Sequence, residues 1–156
     1  MYVASQFGHV DVVRALMEGG ADIDKAEEED GWTPLLVASH NGHVDVVRAL
    51  MEGGADINKA DDDGWTPLHL VSYYGHVEVA RALVEGGADI DKAVEEDGWT
   101  PLLMASQEGH VEVARALMEG GADITKATND GSTPLQIAID NQHPEIIHLL
   151  ELAAQV

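Results

Sequence analysis

Apolar and polar positions along this chain repeat with a beat of 33 or 34 residues, and the stretch Gly64–Ala93, GWTPLHLVSYYGHVEVARALVEGGADIDKA, holds one full beat. Thr66 is a good N-cap, and Pro67 suits the first helical position, where its missing N–H costs nothing. A short helix is predicted over Pro67–Tyr74, broken by Gly75. A second is predicted over His76–Glu85. There Val77, Ala80, Leu83 and Val84 fall on one face, while Val79 and Ala82 leave little polar surface, so this helix is expected to be covered on two sides. Glu78, Arg81 and Glu85, each one turn from the next, mark its wet stripe. Gly86-Gly87 supplies the left-handed stop.

Near-copies of this string lie on both sides of it. Gly-Trp-Thr-Pro-Leu begins at Gly31, Gly64 and Gly98, and the degenerate GSTPL begins at Gly131. Gly-His-Val recurs at Gly8, Gly42, Gly75 and Gly109, and Gly-Gly-Ala-Asp-Ile at Gly19, Gly53, Gly86 and Gly120. The extra residue of the longer steps lies in the connecting loop. DKAEEED and DKAVEED are one longer than NKADDD and TKATND, and their tips are expected to bulge. Helices this short are unstable alone, so each unit must bury its apolar face on its neighbours and the units must stack.

Gly-x-Thr-Pro-Leu-His, Gly-His-Val-x-Val and Gly-Gly-Ala-Asp-Ile at this period resemble ankyrin repeats, and the resemblance covers nearly the whole chain. It implies an all-α solenoid of stacked antiparallel helix pairs, with β-hairpin-like loops projecting from one side and helping to form a concave face. The expected units are 1–30 (truncated at its start, since Met1 aligns one residue past the Thr-Pro), 31–63, 64–97, 98–130 and a cap-like unit 131–156. That last unit brings Gln136, Asp140, Gln142, His148, Glu151 and Gln155 into otherwise apolar helices. The histidine of Thr-Pro-Leu-His is kept only as His69. Leu36, Leu103 and Gln136 replace it elsewhere, so its loop contact cannot be uniform.

Charge and chemistry narrow the function. Eight Lys and Arg against 29 Asp and Glu give a net charge of −21, spread along every unit. Phosphate contacts need cations, so nucleic acid is a poor partner, and anionic membrane surfaces are equally disfavoured. Absence of cysteine removes disulfides, thiolate zinc sites and thiol catalysis. The start lacks the pattern of a secretory signal, which makes a cytosolic or nuclear protein the default expectation. His9, His43, His76 and His110 recur at equivalent points and are separated by a helix spacing, too far to converge on one metal ion. They read as structural hydrogen-bonding groups at the helix–helix turn. The acidic loops lack the ligand alternation of an EF-hand. With no phosphate loop, zinc-protease helix or nucleophile elbow, no enzyme, cofactor or metal site is predicted.

Between near-identical copies, the end of the first helix changes: Gln6-Phe7, His40-Asn41, Tyr73-Tyr74, Gln107-Glu108. In the family that this chain resembles, these positions and the hairpin residue after Gly line the concave face. Here the hairpin residue is Trp32, Trp65 and Trp99, then Ser132. The resemblance therefore implies a protein or peptide partner. Trp32, Trp65, Trp99, Tyr73 and Tyr74 would be anchors, and His40, Asn41, Gln107 and Glu108 would set selectivity. Carboxylates beside aromatic faces favour a basic segment. The same tryptophans also fit a role in packing alone. The close identity of the copies leaves a second reading, a structural spacer or a consensus-like engineered scaffold without a natural ligand. A monomer is expected, with self-association through the uncapped first unit as its alternative.

Overall fold

The structure, a computed structural model, describes residues 1–155. Among them are ten α-helices and no strand. Inner helices α1 (Tyr2–Gln6), α3 (Pro34–His40), α5 (Pro67–Tyr74), α7 (Pro101–Glu108) and α9 (Pro134–Asp140) form one row. Outer helices α2 (Val10–Glu18), α4 (Val44–Glu52), α6 (Val77–Glu85), α8 (Val111–Glu119) and α10 (Pro144–Ala153) form the other. Each helix packs on its partner in the pair and on the same helix of the next pair. The solenoid of helix pairs follows directly from the 33–34-residue period.

The local starts and stops are those written in the chain. Thr33, Thr100 and Thr133 cap their helices, their Oγ1 accepting from the N–H of Leu36, Leu103 and Gln136 at 3.2, 3.4 and 3.3 Å. Proline holds the first turn in all three. In the Gly-Gly stops only the second glycine is left-handed: Gly86 is helical at φ −77° and Gly87 sits at +86°.

The core runs along the seam between the rows as one cluster, from Val13 through Leu35, Leu50, Leu68, Leu83, Leu102 and Leu117 to Ile146. Central outer helices are covered on two sides, so Val79, Ala80, Ala82 and Leu83 are all buried. At the array's start α2 buries only Val13, and Val3 and Phe7, each 63% exposed, stand open beside Val12. The first helix has no side-chain cap. At the other end the polar residues Gln136, Asp140, Gln142, His148, Glu151 and Gln155 are all exposed.

The wet stripe lies where the sequence places it, with Glu78 and Glu85 exposed and Arg81 half-buried, but its ion pairs run between helices. Arg81 reaches across to Glu119 of the next outer helix, 3.4 Å away, and Arg14 reaches Glu52 at 3.2 Å. A long Arg stem spans the distance between stacked helices, which a one-turn pair on a single helix does not use. Only Arg115 pairs within its own helix among the described residues, with Glu112 at 3.6 Å.

The connecting loops are hairpin-like without a strand ladder. Each closes through the carbonyl of the residue after the glycine: Glu27, Asp61, Val94 and Thr128 N–H donate to Trp32, Trp65, Trp99 and Ser132 C=O at 2.9–3.1 Å. The two longer loops turn over three residues, 28–30 and 95–97, where the shorter ones turn over two. Backbone bonds also join the loop tips in twos. Asp62 N–H donates to Asp30 C=O at 3.1 Å, and Asn129 N–H to Asp97 C=O at 2.8 Å. Between the tips of the second and third loops, the buried Val94 side chain lies beside Gly64 instead.

Candidate functional site

Each inner helix has two ends, and both are built by residues at fixed positions in the unit. At the turn end, His43, His76, His110 and His143 each bring Nε2 to a carbonyl in the preceding inner helix. The acceptors are Gln6, His40, Tyr73 and Gln107, at 2.8–2.9 Å. Each imidazole thus satisfies a helix-terminal carbonyl that the helix itself leaves open. These rings are stacking links, one per interface. His143, in the divergent last unit, makes the same link as the Gly-His-Val histidines. Among the described residues no three His, Asp or Glu side chains are grouped to hold a metal.

The glycine before each histidine is doubly required. Gly75 has φ +80°, and a Cβ there would stand 2.6 Å from the His110 ring. Gly8, Gly42 and Gly109 meet the next histidine in the same way. In the last unit Gln142 takes this place at φ +60°.

The residues singled out from sequence come from two places: the tryptophans from the hairpins, and His40, Tyr73, Tyr74, Gln107 and Glu108 from the last turn of the inner helices, with Asn41 just beyond it. The hairpin residue and the residue eight places later face each other: Trp32 and His40 centroids are 5.1 Å apart, Trp65 and Tyr73 5.6 Å, both near edge-on. His40 in turn meets Tyr74 at 4.5 Å, and Tyr74 meets Tyr73 at 5.0 Å. The result is a continuous zigzag, Trp32–His40–Tyr74–Tyr73–Trp65, crossing two units. Edge-to-face contacts of this kind each add about 0.5–1.5 kcal/mol beyond area burial. Trp99 stands outside this zigzag. Trp99 shares a small cavity of about 110 Å³ with Trp65, Tyr73 and Gln107.

Exposure is uneven within the set. Tyr74 is exposed, while Tyr73, His40 and the three tryptophans are half-buried. Asn41 is exposed but turns its amide back to the Val37 carbonyl at 2.8 Å, and Gln107 donates to its neighbour Glu108 at 2.9 Å. Burial, then the nearby His76, pushes His40 below the ordinary imidazole range, so its ring joins the zigzag as a neutral aromatic at pH 7.

Carboxylates brace the base of this face. Asp30, Asp61, Asp97 and Asp130 Oδ1 accept from the N–H of Trp32, Trp65, Trp99 and Ser132 at 2.8–3.2 Å. Burial raises the Asp61 carboxyl, against the opposing N–H bond from Trp65. At Asp130, bonds from the Thr128 hydroxyl and from Ser132 hold the group below the usual carboxylate range.

His69 is a link that only one unit possesses. It is fully buried. Nδ1 accepts from Thr66 N–H at 3.1 Å, which leaves the proton on Nε2, donated to the Trp99 carbonyl at 3.2 Å. Burial drives its pKa down to about 4. The start of α5 is thereby tied to the hairpin that carries Trp99.

Past Trp99 the pattern changes. The pair at the same spacing is Ser132 and Asp140, and a cavity of about 350 Å³ opens there. The Ser132 substitution is visible in the sequence, but the space it leaves is not.

No helix among the described residues is long and apolar enough to cross a membrane. A family model described as "Ankyrin repeats (3 copies)" matches residues 1–94 and 89–156. No curated protein matches the chain significantly.

Proposed function

The chain belongs to the ankyrin-repeat family, whose repeats are generally protein–protein interaction modules, and on that premise we propose that it is a non-enzymatic module that captures a protein partner on its hairpin-side face. The observation that carries this reading is the zigzag Trp32–His40–Tyr74–Tyr73–Trp65, five rings joined at 4.5–5.6 Å across two units. Packing alone would be served by apolar side chains shielded from water. This zigzag instead includes the exposed Tyr74 and the half-buried Trp32, Trp65 and Tyr73. Rigid aromatics with a polar atom supply contact area at low entropic cost, as interface hot spots do. Trp99, Gln107 and Glu108 extend the face, with Asn41 at its margin. The surrounding carboxylates favour a basic segment and faster capture at low salt.

The test is crosslinked capture from the source lysate by the parent chain and by two variants. Tyr73→Ala/Tyr74→Ala should lose the captured partner while keeping the helical circular dichroism. Arg48→Ala, on the opposite surface, should keep it. Equal capture by all three proteins would reject the aromatic face, and no specific capture by any would favour a spacer. Basic steering would be rejected by an association rate that does not change between low and physiological salt.

A further inference from the structure

The pairs at eight-residue spacing run Trp32–His40, Trp65–Tyr73, Trp99–Gln107 and Ser132–Asp140. In the fourth pair both members change character together. A hydroxymethyl stands where the other units place an indole, and a carboxylate stands where they place a ring or an amide. The cavity of about 350 Å³ at this point is lined by Trp99 and Ile137 together with the carboxylates of Glu96, Asp97, Asp130 and Asp140. The carboxylates are already oriented. Asp97 Oδ1 accepts from Trp99 N–H at 3.2 Å, Asp130 Oδ1 from Ser132 N–H at 3.2 Å, and Asp140 Oδ1 from the Gln136 amide at 2.8 Å. For Asp97 and Asp140 these are the only side-chain hydrogen bonds to the carboxylate among the described residues, and both use Oδ1. No Lys or Arg lines the cavity.

We propose that this cavity is an arginine subsite: an arginine side chain of the partner enters the space left by Ser132, lies on the Trp99 indole and is held by Asp97, Asp130 and Asp140. This deepens the protein-binding reading and rests on it. The chemistry selects the guanidinium in three ways. A planar cation lies flat on an indole face with a favourable cation–π interaction. Its fork of N–H donors meets carboxylates arriving from different directions, where an ammonium would engage them as a point. A hydrophobic or anionic side chain would strip water from these carboxylates without compensating them. The ridge and the subsite then divide the labour. The zigzag offers contact area, and the Ser132 gap reads one charged residue about two units further along the face.

The probe is ethylguanidinium chloride, followed through the indole N–H signals of the folded protein by NMR, with the Trp99 signal assigned by Trp99→Phe. Ethylurea, of similar shape without charge, and sodium chloride at equal ionic strength are the controls. The Trp99 signal should shift saturably with ethylguanidinium, with a Kd on the order of millimolar, and stay nearly still with both controls. Ser132→Trp restores the residue that three other units carry, so it keeps the fold and fills the space. It should weaken the probe at least tenfold. Asp140→Asn, an exposed substitution, should weaken it several-fold. A Trp99 shift that sodium chloride at equal ionic strength or ethylurea reproduces, or an unchanged titration in Ser132→Trp, overturns the proposal. Loss of partner capture with a saturating Trp99 titration would remove the protein-binding reading and leave the cation site. Capture retained with a flat titration would do the reverse.

Discussion

The two ends of each inner helix obey opposite rules. At the turn end, four histidines make the same bond to the preceding unit, all at 2.8–2.9 Å, and even the divergent last unit keeps it. At the hairpin end, the residue three after the Thr cap is Leu36, His69, Leu103 or Gln136, and the residue after the glycine is Trp three times and then Ser. Stacking needs the same interface each time, so the histidine link is uniform: it takes a backbone carbonyl, and the side chains of the residues that supply it, Gln6, His40, Tyr73 and Gln107, stay free to vary. A partner is not a repeat, so a face that meets one is free to differ from unit to unit. The difference locates the site: identity marks what holds the array together, and departure marks where its chemistry can lie.

The largest effect that would break this comparison is Gly75→Ala. It places a Cβ at φ +80° and 2.6 Å from the His110 ring. The left-handed strain and the displaced link together should cost about 3 kcal/mol in urea unfolding. A change below about 0.5 kcal/mol, the size expected of an ordinary surface substitution, would show that the turn end is not the stacking joint.

The hairpin end has its own pH signature. His69 is neutral in the folded chain with a pKa of about 4, against 6.5 when exposed. Below pH 6.5 the unfolded chain takes up a proton that the folded chain refuses, so stability falls as pH drops from 6.5 to about 4. By then it has lost roughly 3 kcal/mol from this residue. His69→Leu adopts the residue found at 36 and 103. It should be less stable than the parent by about 1 kcal/mol at pH 7, through the unpaired Trp99 carbonyl. It should lack the parent's excess acid sensitivity, so the order reverses near pH 4. Parallel loss in both chains as the pH falls through this window would assign the acid sensitivity to the carboxylates they share.

Smaller than the His69 titration is His110→Ala, which leaves the Tyr73 carbonyl without its partner and should cost about 2 kcal/mol. Equal costs for His76→Ala and His110→Ala would sharpen the claim of uniformity. The smallest is a gain. Gln142→Gly relieves a left-handed glutamine and should stabilise by about 1 kcal/mol. No following histidine stacks on this position among the described residues, which is why a side chain fits here and not at Gly75.

Most of the fold can be read from the residues because short helices with Thr-Pro starts and Gly stops carry their signals locally. Helix α5 spans the residues predicted for it, Pro67–Tyr74. What crosses between units is harder to see. The Gly-His-Val setting puts His110 at the turn, but its acceptor lies 37 residues back in Tyr73. Arg81 has two glutamates within reach on its own helix and takes Glu119 from another. The site is legible as a set of variable positions. Its zigzag order depends on how stacking brings His40 against Tyr74, which sequence spacing does not reveal. The gap beside Trp99 is a missing volume, and sequence records only that Ser132 is small.

The joining of loop tips in twos has a mechanical consequence. Backbone bonds fasten the tip of the first hairpin to the second and that of the third to the fourth, while a valine side chain fills the place between second and third. An apolar contact resists splaying less than a directional bond, so the loop tips form two plates meeting at a softer crease, which the Asp89 N–H bond to Asn58 Oδ1 at 2.8 Å crosses away from the tips. The five rings from Trp32 to Trp65 lie on the first plate, and Trp99 and Ser132 lie on the second. His69, whose bond to the Trp99 carbonyl crosses this crease, acts as its hinge pin. A partner that grips both plates therefore fixes the angle between them, and the curvature of the whole rod follows from where it takes hold.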